Sequence, residues 1–216
     1  MTERVAVVDY GMGNLQSVVQ ALRAAAPPGT HVLRSSDPDV VRRADRLVVP
    51  GQGAFRDTAL RLAENGLGEA VQERMRAGAP YLGICMGLQI LFEGSDEAPG
   101  SQGFGWFKGT VKRLQGEPGI KIPHMGWNSL ELHAGGHPLL EAAGGSGAWL
   151  YFVHSYSAVA TEVGVTKASV HHGRNLVTAA VARDNVVATQ FHPEKSQSAG
   201  IALLRRFLST DAAGLS

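Results

Sequence analysis

The sequence predicts an α/β fold: an open, mostly parallel mixed sheet flanked by helices. Three features carry that expectation. Up to residue 85, short β-branched runs alternate with helical periodicities, the order of βαβ units. The first of them, "RVAVVDY", is a continuous β-branched run, as a strand covered on both faces is. Beyond residue 105 the pattern changes to short strands separated by turns, which adds antiparallel or mixed-sheet character.

In chain order, "RVAVVDY" (4–10) reads as the first strand, followed by the turn "GMGN" and the helix "LQSVVQALRAA" (15–25). "THVLRSS" is the second strand. "DPDVVRRA" is a short helix with Asp37 as N-cap and Pro38 at its first position. "RLVVPG" is the third strand, and a long helical stretch from about Phe55 to Ala77 leads to the fourth, "PYLGIC". The helix "MGLQILFE" opens directly behind it. A Gly- and Ser-rich segment from Gly94 to Gly105 reads as a surface loop. Five strand-like segments follow: "TVKRL", "NSLEL", "WLYFVHSYSAVA", "TKASVHH" and "LVTAAVARDNVVATQF". The amphipathic helix "SAGIALLRRFLS" closes the pattern. With no dividing linker and no internal repeat, residues 1–216 are expected to form one domain.

Composition excludes several classes. At 44% hydrophobic and 18% charged, with a net charge of +1 and both signs interspersed, the chain has no basic stripe for nucleic acid. The 27 glycines show no period, so they mark tight turns and close backbone approaches. A single cysteine rules out an intrachain disulfide framework and fits a reducing, cytoplasmic setting. No apolar run approaches the roughly 18 residues of a membrane span, and the start lacks a signal-peptide pattern.

Ligands of open α/β sheets gather outside the carboxyl ends of the strands, where "YGMGN", "PGQGAF" and the turn after "YLGIC" fall. "GMGNLQ" invites a dinucleotide-binding reading, but the third glycine would fall at Gln16, and Asp37 is better used as a helix cap. That loop is expected to be a tight turn whose exposed face contacts something else. "GICMG" has the layout of a nucleophile elbow, with cysteine in place of serine. Gly83 and Gly87 would relieve collisions in the sharp turn, and the following helix start favours a thiolate at Cys85. The backbone N–H of Met86 can face a developing oxyanion, and an N–H from Gly51 or Gln52 can supply the second donor. The competing role for Cys85 is a small buried hydrophobe.

A thiolate that performs acyl chemistry needs a base. Among eight histidines, His192 stands out in "VVATQFHPEKS". It ends a β-run, and Glu194 two residues on would leave an extended segment on the same side. A carboxylate there can fix the imidazole tautomer and stabilise the imidazolium. The alternative is an exposed turn. Together, Cys85, His192 and Glu194 make a nucleophile, a base and an orienter. No histidine spacing suggests a metal centre.

These pieces resemble the class I, or triad, glutamine amidotransferases, whose flavodoxin-like fold agrees with the expected sheet. The matching segments are "PGQGAF", "GICMGLQ" and "HPEKS", in order and at strand ends, and the resemblance covers nearly the whole chain. Within that family, "YGMGNLQSV", "PHMGWN" and "YFVHSY" are similar to the glutaminase subunits of imidazole glycerol phosphate synthase. "PHMGWN" and "YFVHSY" weigh against the pyridoxal phosphate synthase glutaminases, and "YGMGN" weighs against those and the anthranilate synthase type.

The resemblance implies hydrolysis of L-glutamine through a Cys85 thioester, with His192 moving protons and Glu194 orienting it. It implies Gln89, Ser155 and Tyr156 as substrate contacts. It also implies a heterodimer with a (β/α)₈ cyclase subunit, HisF, with Asn14, Trp127, Asn128, Tyr151 and Lys195 near the interface. Each of those five also has an ordinary reading as surface or core; aromatics such as Trp127 and Tyr151 are favoured interface anchors. No metal or organic cofactor is implied. One departure stands out: the family commonly has Pro-Gly-Val-Gly where this chain has Pro50-Gly51-Gln52-Gly53. A backbone donor survives that change, but the ease of a peptide flip need not. The expectation is weak glutaminase activity alone and strong activation by the liganded cyclase.

Overall fold

The computed structural model describes residues 3–215. The first half builds β1 (Glu3–Val8), α1 (Leu15–Ala25), β2 (Thr30–Ser35), α2 (Pro38–Arg42), β3 (Arg46–Gly51), α3 (Phe55–Ala63), α4 (Leu67–Arg76) and β4 (Tyr81–Cys85). A single helical turn, α5 (Met86–Gln89), precedes β5 (Gly94–Ser95), β6 (Gly109–Arg113), β7 (His124–Ser129), β8 (Glu131–Leu132) and α6 (Pro138–Ala142). The remainder forms β9 (Trp149–His154), β10 (Tyr156–Ala160), β11 (Thr166–His172), β12 (Asn175–Arg183), β13 (Val186–Thr189) and α7 (Gln197–Ser209).

The main sheet has eight strands in the order β2-β1-β3-β4-β13-β12-β11-β8. The five from β2 to β13 are parallel, and the other three are added antiparallel. Mixed character therefore enters where the strand pattern changes. The inner parallel strands alternate their side chains between two cores, as a pleat covered on both faces must, whereas β2 at the sheet edge buries only Val32 and leaves Leu33 exposed. Val5 and Val7 join α1 and α7 through Leu15, Val18, Leu22, Leu203 and Phe207. Ala6 and Val8 join the opposite core with Phe55, Leu62, Val71 and Met75. Asp37 caps α2 through Asp39 N–H at 2.8 Å, with Pro38 in the first turn as the sequence indicates. No described helix is long and apolar enough to cross a membrane.

Several elements differ from the sequence expectation. The helix expected over 55–77 breaks at Asn65 (φ 56°) and Gly66 (φ 71°), an Asn-Gly pair that adopts left-handed backbone at little cost. The elbow helix stops after one turn, because residues beyond Gln89 turn back to pair with the following segment. Phe104 N–H donates to Ile90 O at 2.7 Å, and Phe107 N–H donates to Leu91 O at 3.0 Å. The segment 94–105 is thus stitched down rather than free, and Glu97 within it accepts the Phe55 N–H at 2.8 Å. "NSLEL" is split: Asn128 and Ser129 end β7, whereas Glu131 and Leu132 form an edge of the main sheet. "WLYFVHSYSAVA" is not one strand. β9 pairs with β7 in a two-stranded ribbon, β10 pairs with β6 in a three-stranded sheet, and Ser155 lies at the corner.

Arg46 ties the two ends of the described chain together. Almost buried at the start of β3, it pairs with Glu3 at 2.7 Å, donates to the carbonyls of Phe207 and Thr210, and lies over the Phe207 ring. Those carbonyls end α7, where a cation is favoured by geometry and dipole alike. Replacing Arg46 with Leu leaves them unsatisfied. We expect a loss of about 2 kcal/mol in urea unfolding, since Glu3 stays partly solvated. An unchanged midpoint would show that water replaces the guanidinium without cost.

Candidate active site

The parallel register assembles the site. Gly51 at the end of β3 stands beside Cys85 at the end of β4, and Thr189 of β13 stands beside Ile84. The segments leaving β3, β4 and β13 therefore converge at one carboxyl edge, where open α/β sheets bind ligands.

Cys85 has φ 55° and ψ −101°, a conformation that non-glycine residues rarely adopt and that marks a sharp strand-to-helix turn. The flanking glycines are required by their neighbours. A Cβ at Gly83 would collide with the Gly87 carbonyl and the Ala188 side chain, and one at Gly87 would overlap the Val49 carbonyl. The Tyr81 hydroxyl donates to the Gly87 carbonyl at 2.8 Å and fastens the turn from beneath. Gly51 is equally constrained, since a side chain there would run into the Tyr10 hydroxyl and Met86.

His192 follows β13 and is buried with Glu194; their Nδ1···Oε1 distance is 2.8 Å. The carboxylate reaches the ring from a 3₁₀ turn, Pro193–Lys195, rather than from an extended segment as the i, i+2 spacing suggested. Two links hold the backbone of His192. Its main-chain N–H donates to Tyr151 O at 2.9 Å, and its carbonyl accepts the Ser196 hydroxyl at 2.7 Å. Nε2 is within reach of the Cys85 thiol and is buried with no other partner. Burial opposes charge on this ring, but the Cys85 and Glu194 side chains outweigh it and raise His192 to about 9.

A cavity of about 400 Å³ opens over the thiol. Cys85, Met86, Gln89, Ser155, Tyr156 and Gln52 line it, together with Tyr151, His154 and Lys195. A much smaller cavity behind the imidazole is bounded by Asn14, Gly51, Gln52, His192 and Glu194. Cys85, His192 and Glu194 thus meet; Gln52, Met86, Gln89, Ser155 and Tyr156 border the larger cavity, while Gly51 borders the smaller one. Among the described residues, no group of three or more His, Cys, Asp and Glu is arranged to hold a metal ion.

The other singled-out residues gather around the β7–β9 ribbon, except Asn14, which precedes α1. Trp127 is 41% exposed and meets Tyr151 edge-on, with ring centres 6.1 Å apart; the Lys195 ammonium lies 5.8 Å from the Tyr151 ring centre. Asn128 turns inward, donating to the His171 carbonyl at 2.8 Å.

Three site residues escaped the sequence reading. Gln190, fully buried, points its amide nitrogen at the Cys85 sulfur at 3.5 Å, and its oxygen accepts from Gln89 at 3.0 Å. Its position two residues before His192 was the available signal, because alternate residues of a strand share a face. His154 and His124 form a buried pair beside Tyr156; they lie in the segments "YFVHSY" and "PHMGWN", but nothing in either marks the two as partners.

Comparisons with known proteins agree with this geometry. The family model for glutamine amidotransferase class-I matches residues 6–210. Imidazole glycerol phosphate synthase subunit HisH of Synechococcus elongatus is 46% identical over 98% of this chain and 95% of its own length. The subunits of the same name from Acaryochloris marina and Zymomonas mobilis are 47% and 44% identical, each over 94% of this chain and 93% and 94% of their own lengths respectively. Among solved structures, a crystal structure of glutamine amidotransferase superposes with a TM-score of 0.70 at 21% identity, covering 98% of this chain and 99% of that one. The structure of PurLQS from Thermotoga maritima gives 0.69 at 20% identity, covering 96% of this chain and 98% of that one; at such identity these two show the fold alone. The chain belongs to the class-I glutamine amidotransferases, in the group of the imidazole glycerol phosphate synthase HisH subunits.

Proposed function

We propose that the chain is the glutaminase subunit of an imidazole glycerol phosphate synthase, and that the cavity over Cys85 hydrolyses L-glutamine to glutamate and ammonia. The observation that carries the reading is the buried set at the elbow. A cysteine in a strained turn faces an imidazole whose other nitrogen is held by a buried carboxylate at 2.8 Å.

Cys85 thiolate attacks the side-chain amide carbon, and the carbonyl electrons move onto oxygen. The N–H of Met86 and a peptide N–H of Gly51 or Gln52 receive that charge. His192, held protonated by its two neighbours, gives its proton to the departing nitrogen as the C–N bond breaks, so ammonia leaves and a γ-glutamyl thioester remains. Water attacks the thioester, His192 takes its proton, and glutamate departs. Glu194 fixes the ring through Nδ1 in both halves. Gln89, Ser155 and Tyr156 hold the substrate.

The ammonia passes to a (β/α)₈ cyclase subunit, HisF, which converts PRFAR to imidazole glycerol phosphate and AICAR. The two subunits form a cytoplasmic heterodimer. The exposed edge carrying Trp127, with Tyr151 and Lys195 beside it, supports docking near the mouth of the cavity. Glutaminase activity is weak without that partner and rises with its nucleotide bound.

Two outcomes test this. Cys85→Ala lowers glutamine-dependent synthesis by a factor on the order of 10³ or more, while synthesis from added ammonium salt persists in the complex. Glutamine still driving the variant would remove Cys85 from the nucleophile role. The second test is a pH profile. His192 must carry a proton to release ammonia, so kcat/KM for glutamine holds through neutral pH and declines as pH passes about 9. Glu194→Gln removes one of the two groups that raise the ring, so its alkaline limb moves to lower pH. A limb at the same pH in both proteins would show that Glu194 does not tune the base.

A further inference from the structure

The cavity wall is connected to β7 by a line of side chains, half-buried at Asn128 and buried beyond it, whose hydrogen-bond direction can be worked out from both ends. At one end, Asn128 accepts the Ser129 N–H on its oxygen at 2.8 Å and donates to the His171 carbonyl at 2.8 Å. Those two backbone groups fix its amide, so the same nitrogen, 3.2 Å from His124 Nε2, is the donor there. His124 Nε2 is an acceptor, and the proton of that ring is on Nδ1. Nδ1 lies 3.0 Å from His154 Nε2, which must accept. His154 then carries its proton on Nδ1, 2.9 Å from the Tyr156 carbonyl, a group that can only accept. Starting instead from the carbonyl gives the same two tautomers. A proton added to either ring would set two donors against each other. Burial and the neighbouring imidazoles agree, lowering His124 to about 4 and His154 to about 3.

The direction continues into the site. The Tyr156 carbonyl also accepts from Gln89 at 3.0 Å, and the same Gln89 nitrogen donates to Gln190 Oε1 at 3.0 Å. Both amide hydrogens of Gln89 are thereby used, and its oxygen is the polar atom left for the cavity it lines. With its own oxygen occupied, Gln190 presents its nitrogen to the Cys85 sulfur at 3.5 Å.

We propose that His124 and His154 are positioning residues for the substrate cavity: as neutral Nδ1–H tautomers bonded in line, they hold the Tyr156 carbonyl so that Gln89 offers an acceptor to an amino or amide group of the substrate and Gln190 offers a donor to the sulfur. The inference deepens the glutaminase reading and takes its substrate from it. The ring stack supports rigidity: His124 lies against Phe152 at 4.8 Å and against His172 at 4.3 Å between ring centres.

Nitrogen-15 NMR of the labelled chain near neutral pH reads the tautomers directly. Both rings are expected as Nδ1–H; an Nε2–H tautomer or an imidazolium at either position overturns the proposal. This measurement does not depend on the substrate, so its failure is separate from failure of the glutaminase reading. His124→Phe keeps the stack but removes both polar links. It is expected to raise KM for glutamine about tenfold in the complex with the cyclase while kcat changes far less. His124→Asn restores a donor close to the Nδ1 position and recovers most of that loss. An unchanged KM in His124→Phe, or no recovery in His124→Asn, overturns the positioning role.

Discussion

The site depends first on one backbone contact, the packing of Gly87 against the Val49 carbonyl. That approach leaves no room for a side chain, and it brings the elbow close enough to β3 for Gly51 to stand beside Cys85. Cys85 is held in a conformation that costs about 1–3 kcal/mol in an unconstrained chain. The surrounding sheet supplies the constraint: parallel pairing on both sides of β4, the Tyr81 bond beneath the turn, and the closely packed Gly83. Strain here aims the sulfur away from the sheet and into the cavity. A relaxed β-conformation would return it to the sheet, where it would be the small hydrophobe that a lone cysteine often is.

The electrostatics show how the same side chain serves opposite ends within one molecule. His192, His124 and His154 are all buried, and burial alone lowers each. His192 nevertheless rises because it has a thiol on one nitrogen and a carboxylate on the other. The other two face carbonyl, amide and imidazole groups, which reward neutrality. Identity does not determine the protonation state; the charge on the facing group does. The unpartnered buried atoms make a related point. Glu194 Oε2 lies buried without a partner, and His192 Nε2 has only the Cys85 thiol within reach, a costly arrangement for a purely structural cluster.

What could be read from the sequence was local or directional. Apolar runs identified the inner parallel strands, Asp-Pro marked the start of α2, and two glycines around a cysteine identified the elbow. His192 and Glu194 were found by spacing, although a 3₁₀ turn makes their contact. Failures arose where a local pattern was continuous but its partners were not. Residues 149–160 read as one strand because nothing in them marks Ser155, yet the two halves pair with strands from different sheets. Residues 55–77 read as one helix because the periodicity continues on both sides of Asn65-Gly66, where the chain breaks. Gln190 meets a cysteine 105 positions away, and His154 meets His124 across 30, so only the assembled sheets reveal them.

The break at Ser155 lets the segment from Tyr151 to Tyr156 meet both His192 and the cavity over Cys85. At Tyr151 the backbone carbonyl accepts the His192 backbone N–H at 2.9 Å, and the backbone N–H donates to the Ser196 hydroxyl at 3.0 Å. The Tyr151 ring meets Trp127 and Lys195 on the accessible edge. Five residues later, the Tyr156 carbonyl fixes Gln89. One short stretch of chain therefore carries an outward aromatic contact, the backbone support of His192 and the wall of the substrate cavity. Rigid hydrogen bonding at both ends leaves it little independent freedom. The backbone at His192 and the cavity wall at Gln89 are thereby tied to one continuous stretch of chain, whose outer face carries the Tyr151 ring.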